Sequence, residues 1–327
     1  MFENMSNQLF QRVVRDYNYH MKSILGVLIF CFIFVLYSCS EQTEIVNLIN
    51  SRIADTTFNA LCNEKDIDSF KIFILDTKED EIVFSKVFKG DKSGFVSSTT
   101  SFENNQEPGG LLKSFWAAVL IEKAGFALSD KMEYSPTIKI YDLEIKDRFD
   151  LKVDSLDLFK TIVYASNTSI IGFVNRGLGN SEVQKILEVL QPKLMKSGVS
   201  SAYAALGYNV KYNTEKLMHF YGAIADKKVH SDFSISTLSK IDTMLANTVR
   251  VGVCHSIYNH KRPIHGVSAT TPRFSDGIIY DSRFIGFENL NRRFLVYVQV
   301  SGREIAYGSQ LSAKIALKVL EQLKFPD

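Results

Sequence analysis

Two stretches near opposite ends of the chain show the same pattern of β-branched and aromatic residues around a polar turn. "FKIFILD" (70–76) and "IVFSKVF" (82–88) flank "TKEDE", and "SRFIGFE" (282–288) and "RRFLVYVQV" (292–300) flank "NLN". Each pattern predicts an antiparallel hairpin, and strand pairs at both chain ends can form one sheet. A helix is expected from about Gly308 to Lys324 and another near Glu44 to Cys62. Between the hairpins the pattern is mostly helical. "LLKSFWAAVLIEKAG" (111–125) is apolar almost all round, which marks a helix buried in a core. "DLFKTIVYASNTSIIGFVNRGLG" (157–179), "SEVQKILEVLQPKLM" (181–195) and "NTEKLMHFYGAIADKK" (213–228) follow, the last capped by Asn213 or Thr214. With no internal repeat and no low-complexity linker, the fold class is α+β. It is an antiparallel sheet of N- and C-terminal strands, flanked by helices, with an inserted mainly helical lobe.

The N-terminus adds a destination. "SILGVLIFCFIFVLYS" runs from Ser23 to Ser38 just after Met21-Lys22. It is short beside the roughly 20 apolar residues of a membrane span and close to a signal-peptide core. Leu36-Tyr37-Ser38-Cys39 resembles a bacterial lipobox, in which Cys39 would be the lipid attachment residue. Residues 1–20 read as an upstream extension, 21–38 as a signal peptide or membrane anchor, and 39–69 as a linker with an N-terminal helix. Either reading tethers an exported domain to the membrane. Cys62 and Cys254 are then free to pair or not, because spacing alone cannot supply the geometry.

Composition excludes more than it assigns. At 46% hydrophobic and 23% charged, the chain is ordinary globular protein. The net charge of +2, with no basic stripe, gives no footing for nucleic acid. "CHSIYNHKRPIH" holds Cys254, His255, His260 and His265 at a spacing that fits no zinc signature and reads as a surface loop, so no metal or other cofactor is expected. "GDKSG" lacks the ending of a phosphate loop, and the runs "NEKDID", "TKEDE" and "LEIKDRFDLKVD" read as solvated faces and turns. Trp116 reads as core.

The order of segments resembles the transpeptidase domain of penicillin-binding proteins, within the serine β-lactamase and D,D-peptidase group, from about Phe70 to Leu323. "EPGGLLKSFWAAVLIEKAG" is similar to the family's E-P-G-S-T-F-K-P-F helix, and "YASNTSIIGFVNRGLG" to its S-S-N-T helix start. "NTEKLMHFYGAIADKKVH" is similar to T-P-x-Q-x-A-x-A-Y-A-A-x-A-N-G-G, and "IHGVSATT" stands where G-K-T-G-T-A is expected. The resemblance implies a transpeptidase-like domain over 70–327, a bacterial cell-envelope location with the domain on the periplasmic side, and a link to peptidoglycan.

It also implies chemistry that these residues do not carry. The family's first box is Ser-x-x-Lys, a nucleophile with a lysine one helical turn later on the same face. Here the positions are Gly110 and Lys113, and no lysine in the chain has a serine three residues before it. Cys62 precedes Lys65 by three but follows no family feature, and Ser114 adjoins Lys113 on a different helical face. The second box, Ser-x-Asn, reads Ala165, Ser166, Asn167; the third, Lys-Thr-Gly, reads Val267, Ser268, Ala269, followed by Thr270. Losing the principal side chain of all three argues against acyl transfer.

The surviving Lys113 then reads as a structural pair and Asn167 as a helix cap. The expectation is a vestigial cleft that binds a cell-wall peptide or an envelope protein partner without turnover. The rival reading is an active D,D-transpeptidase, carboxypeptidase or β-lactam-reactive hydrolase using Ser166 or Ser268, and a third is a decaying gene product.

Overall fold

A computed structural model describes residue 47 and residues 67–323, apart from 92–93, 101–106, 141–142, 191–199, 211, 229, 276, 304 and 306–308. The chain divides into two units, Met1–Ser51 and Arg52–Asp327, and the strands and helices described lie in the second. The expected helix near Glu44 to Cys62, residue 47 apart, and the apolar run, Cys39, Cys62 and Lys65 lie outside the described residues. Among the described residues no helix is long and apolar enough to cross a membrane.

Strands β1 (Ile67–Asp76), β2 (Glu81–Asp91) and β3 (Gly94–Thr99) come first, and β8 (Ile264–Ser275), β9 (Gly277–Glu288) and β10 (Phe294–Gly302) near the end. Both expected hairpins are present, and they join through β1 and β10 in the antiparallel order β3-β2-β1-β10-β9-β8. Phe73 stands opposite Tyr297 and Ile74 opposite Val296. Because side chains alternate, Phe73 and Leu75 enter the large core under the helices while Phe70, Ile72 and Ile74 are buried on the other face. Helix α8 (Ser309–Gln322) packs on β9 and β10, and β10 is buried at every residue. At the outer edge β8 pairs only with β9 among the described residues, and it carries Pro272 opposite Tyr280.

The helical layer is built around α1 (Leu112–Lys123), buried at every residue from Leu112 to Ile121. Trp116 is fully buried, and its indole N–H donates to Ala204 O at 2.8 Å, so its one polar atom is satisfied inside the core. Helices α2 (Leu158–Val163), α3 (Asn167–Gly177), α4 (Asn180–Leu190) and α5 (Ser201–Leu206) make the lobe. Helices α6 (Thr214–Asp226) and α7 (Ile235–Arg250) return to the sheet. Asn213 caps α6 as expected, accepting from Glu215 N and Lys216 N.

Two features add to the sequence reading. The mainly helical lobe also carries two short strand pairs: β4 (Lys131–Glu133) with β7 (Ser155–Asp157), and β5 (Thr137–Ile140) with β6 (Leu143–Lys146), the last within a run read as solvated faces and turns. Helix α7 was not read at all, although Ser234 accepts from Thr237 N as its cap and Leu238, Ile241, Leu245 and Val249 give it a buried stripe.

Candidate functional site

Pro108 leads into a 3-10 turn, Gly109–Leu111, that opens α1. Gly109 has φ +56, a conformation that suits glycine, and its N–H donates to Gly207 O at 3.2 Å. This fixes Gly110 against β8. A Cβ at Gly110 would lie 3.5 Å from Ala269 Cβ, 3.7 Å from Ser268 O and 3.8 Å from Lys113 Cε, all ordinary contact distances. The place of a nucleophile's side chain is therefore open, and it adjoins the lysine that the sequence spacing predicts.

Lys113 is 4% exposed, and Nζ donates to Ala165 O at 2.5 Å and to Asn167 Oδ1 at 2.6 Å. Burial lowers its pKa to about 8, with the charge of Asp147 working in the opposite direction. The ammonium thus joins the two helices that carry the first and second boxes.

The second box lies in the turn between α2 and α3. Ala165 has φ 51, the left-handed region, and its carbonyl accepts from Lys113. Ser166, not Asn167, caps α3: its Oγ accepts from Ser169 N at 3.1 Å and donates to Asp147 Oδ2 at 2.5 Å. Asn167 opens the first turn, with its own N–H donating to Asp147 Oδ1 at 2.6 Å and its Nδ2 to Lys146 O at 2.8 Å. Thr168 N adds a bond to Asp147 Oδ1 at 3.0 Å. A carboxylate receiving the first N–H groups of a helix is favoured by the helix dipole. Asp147 was missed from the sequence because nothing in "LEIKDRFDLKVD" separates it from a surface aspartate.

The third box lies on β8. Val267 is 2% exposed and belongs to the core, whereas Ser268, also buried, takes the Cys254 thiol at 3.3 Å. Cys254 is free, and burial pushes its thiol up to about 11. A cleft of about 260 Å³ lies between these elements. Gly110, Lys113, Ala165, Asn167, Ser268, Ala269 and Thr270 line it, while Ser166 and Val267 stand behind its walls. Lys146, Asp147, Arg148, Tyr164, Leu206, Tyr208 and Val253 also line it, none of them expected.

The histidines of the 254–265 stretch are dispersed. His265 is not in a surface loop: it sits on β8, buried, with Nδ1 2.5 Å from Asp242 Oδ1, and Asp242 Oδ2 receives Arg292 at 3.0 Å. His255 bonds to Arg250 O. Among the described residues no group of three or more His, Cys, Asp or Glu could hold a metal ion.

No family model and no curated relative matches the chain. Solved structures do. The transpeptidase domain of the FtsI4 D,D-transpeptidase from Legionella pneumophila aligns at TM-score 0.61 and 19% identity, over 82% of this chain and 93% of that one. The corresponding domain of penicillin-binding protein 3 from Burkholderia pseudomallei gives 0.63 and 16%, over 86% and 92%. Penicillin-binding protein 3 from Mycobacterium tuberculosis, complexed with aztreonam, gives 0.64 and 14%, over 86% and 78%. The chain has the penicillin-binding-protein transpeptidase fold.

Within that transpeptidase fold the cleft retains a buried lysine, an asparagine amide and the hydroxyls of Ser268 and Thr270. The two serines nearest the cleft are engaged: Ser166 holds Asp147 and caps α3, and Ser268 accepts from Cys254. Among the described residues, the hydrogen bonds of these two serines run to Asp147, Thr168, Ser169 N and Cys254, none of them a basic side chain.

Proposed function

We propose that this is a membrane-tethered protein of the bacterial cell envelope whose transpeptidase-like domain is a pseudoenzyme, exported to the periplasmic side. Its cleft binds a cell-wall peptide or an envelope partner without acyl transfer. One observation carries the reading: Gly110 presents a hydrogen where a nucleophile's side chain would stand, beside a Lys113 that is otherwise in place. Without an attacking oxygen there is no covalent step, and binding alone supplies at best a residual acceleration. What supports ligand binding is the open edge of β8 beside the cleft, whose main-chain groups suit an extended peptide. The N-terminal tether, through Cys39 or an uncleaved anchor, belongs to the same proposal.

The test is intact-protein mass spectrometry of the full chain with a penicillin, beside a Gly110→Ser variant. No adduct on folded wild-type protein is expected, and acylation of the variant would show that the cleft still aligns Lys113 with an added hydroxyl. An adduct on wild type would overturn the proposal, and peptide mapping would then name the nucleophile.

A further inference from the structure

The tip of the β8–β9 hairpin carries an exposed apolar patch. Pro272 stands opposite Tyr280 and Phe274 opposite Ile278, and alternate residues of a strand share a face, so these four side chains lie together on one side of the sheet. Phe274 is 77% exposed and Ile278 47%. The position of α8 explains why. That helix packs on the same face, with Ser312 in its first turn against Ser282 and Leu320 near its end accepting from Arg262. It therefore runs from Ser282 toward the start of β8 and leaves the tip uncovered. Leu290, exposed in the β9–β10 turn at the opposite end, is by contrast one apolar side chain between Asn289 and Asn291. Single exposed apolar residues are ordinary, whereas a contiguous patch marks a contact with protein or membrane.

The strand register favours the membrane. Pro272, Tyr280, Gly302 and Ile67 stand opposite one another in turn across β8, β9, β10 and β1. With neighbouring strands about 4.8 Å apart, the first residue of β1 lies about 14 Å from Pro272, and Phe274 projects two residues beyond that row. The chain that precedes Ile67 thus joins the sheet at the same end as the exposed tip. We infer that this tip docks on the phospholipid bilayer to which the N-terminus tethers the domain, with Phe274 and Ile278 entering the interfacial layer. The inference rests on the tethered reading above and adds a second contact, one that fixes how the domain faces the membrane. Cys39 precedes Ile67 by about 28 residues, a reach of at most roughly 95 Å, so the domain cannot leave the neighbourhood of the bilayer. A patch of four side chains would hold a free protein on lipid only weakly. Tethering makes the contact intramolecular, and a small buried apolar area then suffices.

The experiment is tryptophan fluorescence of the full-length protein reconstituted on phosphatidylcholine vesicles with brominated acyl chains, which quench a tryptophan that enters the hydrocarbon. Wild type has a single tryptophan, Trp116, fully buried in the core and expected to be unquenched. Phe274→Trp adds an emitter whose fluorescence is expected to shift to the blue on plain vesicles and to be mostly lost on brominated ones. Leu290→Trp, at the opposite end of the sheet, keeps its emission on both. Adding Ile278→Glu to Phe274→Trp restores the lost emission. All three positions are exposed, and unchanged thermal melting separates lost docking from lost folding. Vesicle flotation reports the tether independently. A protein that floats with the vesicles while its Phe274→Trp emission is quenched no more than that of Leu290→Trp overturns the docking and leaves the tether standing. A protein that does not float overturns both. A blue shift that needs no lipid and grows with protein concentration assigns the tip to a second copy of the chain and overturns the inference as well.

Discussion

Lys113 Nζ stands 2.6 Å from Asn167 Oδ1, and this bond joins α1 to the start of α3 across more than fifty residues of sequence. The pair lines the cleft, with Lys113 buried. It therefore has measurable consequences of its own.

The first concerns pH. Lys113 has a native pKa lowered by burial to about 8, against an unfolded value of 10.5. Between these values the unfolded chain binds more protons, so the lysine's contribution to stability rises with pH. From pH 7 to pH 9.5 wild type should gain about 2 kcal/mol relative to Lys113→Met, which has no such group. Denaturant unfolding of both proteins at the two pH values measures this, and parallel behaviour would refute it.

Asp147 supplies acceptors to the start of α3 and a negative charge near Lys113. Asp147→Ala should cost about 1–2 kcal/mol, as the loss of a helix cap does. Asp147→Asn should lower the Lys113 pKa further below its present value, because the negative charge that opposes the effect of burial is removed. Lysine-selective labelling rates across a pH series would report the shift.

Arg262 and Glu288 form a buried bidentate pair, with Nε to Oε1 at 2.9 Å and NH2 to Oε2 at 2.6 Å, tying the start of β8 to the end of β9. Glu288→Ala leaves the guanidinium buried without its main partner and should cost about 3–5 kcal/mol. Replacing both residues by apolar ones of similar volume should recover most of that loss in the same unfolding assay.

Burial raises Cys254 to about 11 and encloses it, so alkylation at pH 8 should spare it in the native protein. Peptide mapping after iodoacetamide treatment, with and without denaturant, should find the modified Cys254 peptide only in the unfolded sample.

The hairpins, α1 and the cap at Asn213 were legible because each is decided within a few residues, by alternation, by an apolar run or by a side chain bonding to its neighbours. Gly110 and Lys113 were legible for the same reason, since one helical turn relates them. Asp147 was not: it meets α3 twenty residues later, and only the folded lobe reveals that its oxygens face a helix start. His265 was misread as loop because its partner, Asp242, comes from α7, an element the pattern reading had passed over. Ser166 exchanged roles with Asn167 because choosing between adjacent residues for a cap depends on where the backbone turns, and Ala165 turns it by taking a left-handed conformation.

The outer strand β8 also sets a length scale. Pro263 immediately precedes it and Pro272 lies within it, and neither has an N–H to offer. Because β8 pairs with β9 on one side, an incoming chain at this edge finds main-chain donors only from alternate residues between Ile264 and Thr271. Proline at both ends thus works as a ruler, admitting a short extended segment and interrupting the longer ladder through which two copies of the protein could otherwise zip together edge to edge.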